Sequence, residues 1–208
     1  ATTLLTDLRK AGLSTILVSI SPFHAGAIPF AKVRGVLHAA ARARVKVFPW
    51  VREFMPDLEA MGEKTTHSLA EFEERFGPGY VKRIPERYWI HLGGRALATF
   101  GQVMDSVPLA DLLEASAPCS RQLTDTSHFQ IDLQGRYIPG LCTGLALDMD
   151  DLGQALDSER YPVLTCLHDL GVAGLHGLAA RQGIGPARES YVNGCDLCIE
   201  LRAGLRAC

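Results

Sequence analysis

Residues 14–51, STILVSISPFHAGAIPFAKVRGVLHAAARARVKVFPWV, decide the fold class. STILVSIS (14–21) is an almost unbroken apolar run of strand length, the pattern of a strand buried on both faces. FAKVRGVLHAAARAR (30–44) carries Val33, Val36, Leu37 and Ala40 at helical spacing. VKVFPWV (45–51) returns to β-rich composition. Strand, helix, strand in that order predicts two parallel strands joined by a right-handed crossover.

The reading extends to both sides. Upstream, ATTLLTDLRKAGL reads as an amphipathic helix with Thr3 as its cap, apolar positions at Leu4, Leu5 and Leu8, and a stop at Gly12. Downstream, SLAEFEERFG (68–77) predicts a helix with Ser68 and Glu71 as a capping box and Gly77 as its end. RYWIHLGG (87–94) reads as a third strand closed by two glycines, and Trp50, Tyr88 and Trp89 as core. Three parallel strands are too few for a closed eight-stranded barrel, so residues 1–105 read as a small open sheet or as the tail of a larger barrel.

Bulk properties narrow the function classes. A chain of 208 residues buries about 70% of its unfolded surface and needs no staples. The formal charge is −2, with one short basic cluster at Arg42, Arg44 and Lys46, which argues against a dedicated nucleic-acid binder. No unbroken apolar run reaches the roughly 18–20 residues of a membrane span, and the N-terminus lacks the basic and small-residue features of a signal peptide. The expectation is a cytoplasmic protein without a membrane partner.

Residues 115–208 follow a different grammar. HFQIDLQGRYIPG (128–140) alternates Phe129, Ile131 and Leu133 around Asp132, then turns at Gln134–Gly135, as a β-hairpin does. Three short helices are predicted after it, in DMDDLGQAL, YPVLTCLHDL and VAGLHGLAARQG, with Pro162 in a first turn and Gly171 and Gly183 as stops. His128 and Asp132 share a strand face, a spacing that suits a hydrogen-bonded structural pair.

Of six cysteines, Cys119 and Cys142 flank the hairpin, and Cys195 and Cys198 form a C-x-x-C, giving C-x22-C-x52-C-x2-C. On a helix, positions i and i+3 share a face, and a helix N-terminus favours thiolates. Four thiolates suit zinc or an iron–sulfur cluster. The alternative is a set of buried free thiols. Cys166, between Leu164 and Leu167, reads as core, and Cys208 as incidental.

Several motifs together resemble radical S-adenosylmethionine (radical SAM) enzymes that carry a SPASM-like auxiliary domain. LVSISPFHAGAIPFAKVRGVLHAAARARVKVF is similar to the fourth strand, helix and fifth strand of their partial (β/α) barrel. IHLGGRAL resembles the last barrel strand and the Gly-Arg-Ala leading onward. CSRQLTDTSHFQIDLQGRYIPGLCTG resembles the cysteine–hairpin–cysteine opening of the auxiliary domain, and Cys195-x-x-Cys198 its closing pair. The CxxxCxxC loop that holds the cofactor-cleaving cluster has no counterpart in the chain. The resemblance therefore implies a C-terminal portion, with the first three barrel strands before Ala1, that would not start radical chemistry alone although its parent would be an enzyme.

What the resemblance implies is specific. Residues 1–105 would be later strands of a barrel, and residues 115–208 an α+β auxiliary domain with a [4Fe–4S] cluster on Cys119, Cys142, Cys195 and Cys198. Ser19, Arg52, Gly93 and Gly94 would contact S-adenosylmethionine: Ser19 its ribose or methionine part, Arg52 its carboxylate, and the glycines its adenine. His24 would line the substrate cavity, and Arg95 would bond the loop near the cluster. The substrate would be a peptide, and the reductant a flavodoxin or ferredoxin. The alternative is a zinc-stapled binding module beside an α/β domain, without redox activity.

Overall fold

Two β-rich runs separated by one amphipathic helix make the centre of the first half. In the computed structural model, which describes residues 1–87, 90–142 and 144–206, strand β1 (Thr15–Ser19) lies parallel to β2 (Lys46–Trp50). Leu17 stands opposite Phe48 and Ser19 opposite Trp50. The chain is mixed α/β, predominantly helical with small sheets, and divides into two compact units, Ala1–Trp89 and Ile90–Cys208.

In the first unit, α1 (Thr2–Lys10) precedes β1, and α2 (Pro22–Ala25) and α3 (Phe30–Ala43) connect it to β2. Leu5 of α1 and Ala39, Ala40 and Ala43 of α3 pack over one sheet face with Ile16 and Val47. These small side chains let helix and sheet approach closely. The opposite face carries Leu17, Phe48 and Trp50, which are 59%, 53% and 46% exposed. Among the described residues the sheet is thus covered on one face, and Trp50 is exposed rather than core. The continuous apolar run at 14–21 does not distinguish one covered face from two, because both strand faces are apolar in sequence.

After β2 come a 3₁₀ turn (Arg52–Phe54), α4 (Met55–Met61), α5 (Leu69–Phe76) and α6 (Tyr80–Arg87). The predicted capping box is formed: the Glu71 N–H donates to Ser68 Oγ at 3.3 Å, and the Ser68 N–H to Glu71 Oε2 at 2.6 Å. Phe72, Phe76 and Tyr80 stack at 5.3–6.1 Å between ring centroids. Tyr80 donates to Asp57 at 2.7 Å, and Arg87 pairs with the same carboxylate while lying over the Phe54 ring. Arg87 therefore ends a helix, where the sequence suggests the start of a third strand. Tyr88 and Trp89 lie outside the described residues, and 90–93 form no strand. At the N-terminus the cap position is Ala1, not Thr3.

The second unit contains α7 (Arg95–Phe100), β3 (Val107–Pro108), α8 (Leu109–Glu114), α9 (Ser120–Leu123), β4 (Phe129–Ile131), β5 (Arg136–Pro139), β6 (Leu147–Asp148), α10 (Pro162–Arg181), β7 (Ser190–Tyr191) and α11 (Gly194–Arg206). β4, β5 and β6 form an antiparallel sheet in that order, and β3 pairs with β7. The predicted hairpin is present, with Gly135 at φ +76° in its turn. Its alternating residues Phe129, Ile131 and Leu133 face solvent, while Tyr137 and Pro139 of β5 are buried.

Two of the three predicted helices run as one element, α10, broken at Gly171 (φ +66°, ψ −157°). The first, DMDDLGQAL, is only a 3₁₀ turn at Met149–Asp151. α10 has the length and hydropathy of a membrane span, although His168 and Asp169 interrupt its apolar sequence. Its Leu164, Leu167, Val172, Leu175 and Ala179 pack into the core against Leu197 and Leu201 of α11.

Candidate functional site

The cysteines reach one place from three directions. Cys119 sits just before α9, held by its N–H donating to the Leu167 carbonyl at 2.9 Å. Ser116 anchors the same segment by accepting the Ala173 N–H at 3.1 Å. Cys142 follows β5 in a turn in which its N–H donates to Pro139 O at 3.0 Å. Cys195 and Cys198 lie in the first turn of α11, whose N-terminus is ordered by Asn193 accepting the Asp196 N–H. All four line one cavity of about 400 Å³ in the second unit, together with Leu141, Leu145, Ile199 and Arg202.

The electrostatics show the thiols acting on one another. Loss of hydration raises all four above an ordinary cysteine. Cys142 is pushed up to about 11, by burial first and then by Cys195, Cys119 and Cys198. Arg202 opposes the rise at Cys142, Cys195 and Cys198 and hydrogen-bonds the Cys198 sulfur. The free thiols are therefore protonated at neutral pH, and any metal they bind must displace protons.

Among the described residues, no three His, Cys, Asp or Glu side chains stand close enough to share one metal ion. A tetrahedral zinc site needs sulfurs roughly 3.8 Å apart, given zinc–sulfur bonds of about 2.3 Å. An iron–sulfur cluster places its irons at separate corners and spreads its thiolates more widely. Four thiols around one cavity are a donor set whose chemistry suits zinc or an iron–sulfur cluster.

The remaining predicted residues are distributed as follows. Gly93 lines the cysteine cavity beside His91, where an added Cβ would meet His91 Nε2 at 2.8 Å and require that ring to shift. Gly94, at φ +53°, precedes α7. Ser19 and Arg52 belong to the first unit, at and just beyond the C-terminal ends of two adjacent parallel strands, with Arg52 exposed. Ser21 is buried and hydrogen-bonded to His24 Nδ1 at 2.7 Å. The space around Ser19, Ser21 and His24 is only about 10 Å³, too small for a substrate.

Asp132 is structural. It accepts the N–H groups of Gln134 and Arg136 and the Arg136 side chain, each at 2.9 Å, while His128 is exposed. Arg95 is exposed at the start of α7, and Cys166 is half-buried on α10. Cys208 lies outside the described residues.

Two cavity residues were not foreseen, His91 and Arg202. Arg202 had a legible signal, since it lies four residues after Cys198 and seven after Cys195 on one helix face. His91 had none, because it lies within a segment that reads as a strand. No protein-family model, no curated protein and no solved structure matches the chain.

Proposed function

We propose that the chain is part of a radical SAM iron–sulfur oxidoreductase, with an auxiliary [4Fe–4S] cluster held by Cys119, Cys142, Cys195 and Cys198. One observation carries this reading: four thiols, from positions up to 79 residues apart, line a single cavity. Thiols this far apart in sequence converge for a reason when the flanking segments are fixed by their own hydrogen bonds, as Cys119 is through Leu167 and Ser116. A bound cluster would supply one-electron transfer and would tie the hairpin to α11. The chain's own part is to hold the thiols around one cavity and keep Arg202 on its wall.

The first unit supports the rest of the reading more loosely. Parallel sheets are ordinarily covered on both faces, yet Leu17, Phe48 and Trp50 leave one face of this sheet bare. That suits two strands of a larger parallel barrel. Ser19 and Arg52 then stand at the strand ends where barrel enzymes bind their ligands, and S-adenosylmethionine is the ligand proposed for them. Gly93 and Gly94 are proposed to contact the same cofactor in the complete enzyme, a peptide to be the substrate, and a flavodoxin or ferredoxin in a reducing cytoplasm to be the electron donor.

Anaerobic reconstitution with ferrous iron and sulfide tests the reading. The expected product is brown, with a charge-transfer band in the visible that C195A and C198A abolish. A colourless protein holding one zinc ion would instead establish the zinc-stapled module.

A further inference from the structure

We propose that Arg202 sets the reduction potential of the cysteine-bound cluster, by fixing a permanent positive charge at the wall of the cavity. The inference rests on the cluster reading above and adds a role for a residue outside the ligand set.

Three observations carry it. First, Cys195, Cys198 and Arg202 occupy positions i, i+3 and i+7 of α11, so one rigid helix presents both thiols and the guanidinium on one face. Second, Arg202 is only 8% exposed although it is charged at every accessible pH. Its seat is shaped by Gly144, where a Cβ would come within 3.2 Å of Arg202 Nη1 and of Arg206 Nη2. Third, the carboxylates of α11 are committed to another cation: Arg188 holds Asp196 at 2.8 and 3.1 Å and Glu200 at 3.0 Å. Asp196 and Glu200 are thus bound to Arg188, while Arg202 lines the cavity with the thiols.

The consequence follows from charge balance. Four thiolates outweigh the positive charge of an iron–sulfur core, so the site is anionic before reduction and more anionic after it. One electron enters from a one-electron donor of the ferredoxin or flavodoxin class. No bond breaks and no proton is required. Cys195 is exposed and the other three thiols are half-buried, so water screens the added charge only in part, and a guanidinium on the cavity wall stabilises the reduced form more than the oxidised one. Charges and hydrogen bonds at the sulfurs are what tune such potentials. Arg202 is a positioning and tuning residue, not a ligand.

The test uses the 208-residue chain, its R202Q and R202K variants, ferrous iron and sulfide under anaerobic conditions, and a dithionite titration followed by electron paramagnetic resonance. R202Q is expected to disfavour reduction at least tenfold, a shift of about 59 mV to more negative potential for one electron. R202K keeps the charge and is expected to stay within about threefold of the parent. A purely structural role would lower cluster content in both variants and leave the potential of the loaded fraction unchanged, which would overturn the proposal. Should R202Q not fold, R202M, which keeps the side-chain length without the charge, takes its place: a shift of at least tenfold supports the proposal, and an unchanged potential overturns it. If the parent takes up no iron, the cluster reading itself fails, and that is seen before any potential is measured.

Discussion

Replacing Gly171 with alanine tests how the fold delivers Cys119 to the cavity. Gly171 breaks α10 at φ +66° and ψ −157°, a region that side chains other than glycine occupy only under strain of about 1–3 kcal/mol. A Cβ at this position would lie 2.1 Å from the Ala117 carbonyl oxygen and 2.8 Å from its carbon. The overlap is with backbone, so no side-chain rotation relieves it. Either the kink or the 116–119 segment must move. The hydrogen bonds at stake join Cys119 N–H to Leu167 O and Ala173 N–H to Ser116 Oγ, at about 1 kcal/mol each. G171A is therefore expected to destabilise the second unit by about 3–5 kcal/mol. Urea unfolding followed by circular dichroism measures this, and hydrogen exchange at the Cys119 and Ala173 amides locates it. G185A, with no atom within 4 Å of the added Cβ, is the control and should shift stability by no more than about 0.5–1 kcal/mol. A G171A protein within about 0.5 kcal/mol of the parent, with both amides still protected, would refute the reasoning.

Three further substitutions probe the same unit. Leu197 is fully buried between the two cysteines of α11, so L197A should lose about 2–5 kcal/mol in urea unfolding. Tyr191 is buried, donates to Glu200 at 2.5 Å and accepts the Arg188 N–H at 3.2 Å; Y191F should cost about 1–3 kcal/mol, read as a lower thermal midpoint. Asp132 is held below the usual carboxylate range by the Arg136 backbone N–H first, against the opposing effect of burial, with the Arg136 side chain and the Gln134 N–H adding to the lowering. A depressed folded-state pKa adds stability that is present above the unfolded value, about 3.9, and is lost as pH falls through the folded value. D132N should therefore flatten the loss of hairpin protection as pH falls below about 4, measured by hydrogen exchange; an unchanged acid profile would remove Asp132 from the turn's support.

Local signals carried most of what the sequence revealed. The β1–α3–β2 unit was legible because its strands and helix have different periods, and α5 because Ser68 and Glu71 form a box that needs no tertiary context. The hairpin was legible from Gln134–Gly135, although its alternation suggested the wrong buried face: tertiary packing chose Tyr137 over Phe129 and Ile131. Residues 87–94 misled because apolar, aromatic composition suits a strand, while the Arg87 contacts with Asp57, the Glu53 carbonyl and Phe54 complete a helix. Short pieces such as β3, β6 and β7 had no signal, being two residues each and defined only by their partners.

At the site, the four cysteines could be grouped from spacing and resemblance, and they do share a cavity. Arg202 shares the helix face of Cys195 and Cys198 in the sequence, but an arginine on a helix is normally solvated, and its burial depends on packing that the spacing does not carry. The assignments of Ser19 and Arg52 rest on strand ends, and those strand ends are present as a pair of adjacent parallel termini.

The most direct measurement is the iron and acid-labile sulfide content of the chain purified without oxygen, alongside C119A, C142A, C195A and C198A. The account predicts four iron and four sulfide per chain, the content of one [4Fe–4S] cluster, and a marked loss in every single variant. Iron and sulfide absent from the parent, or unchanged in all four variants, would contradict it.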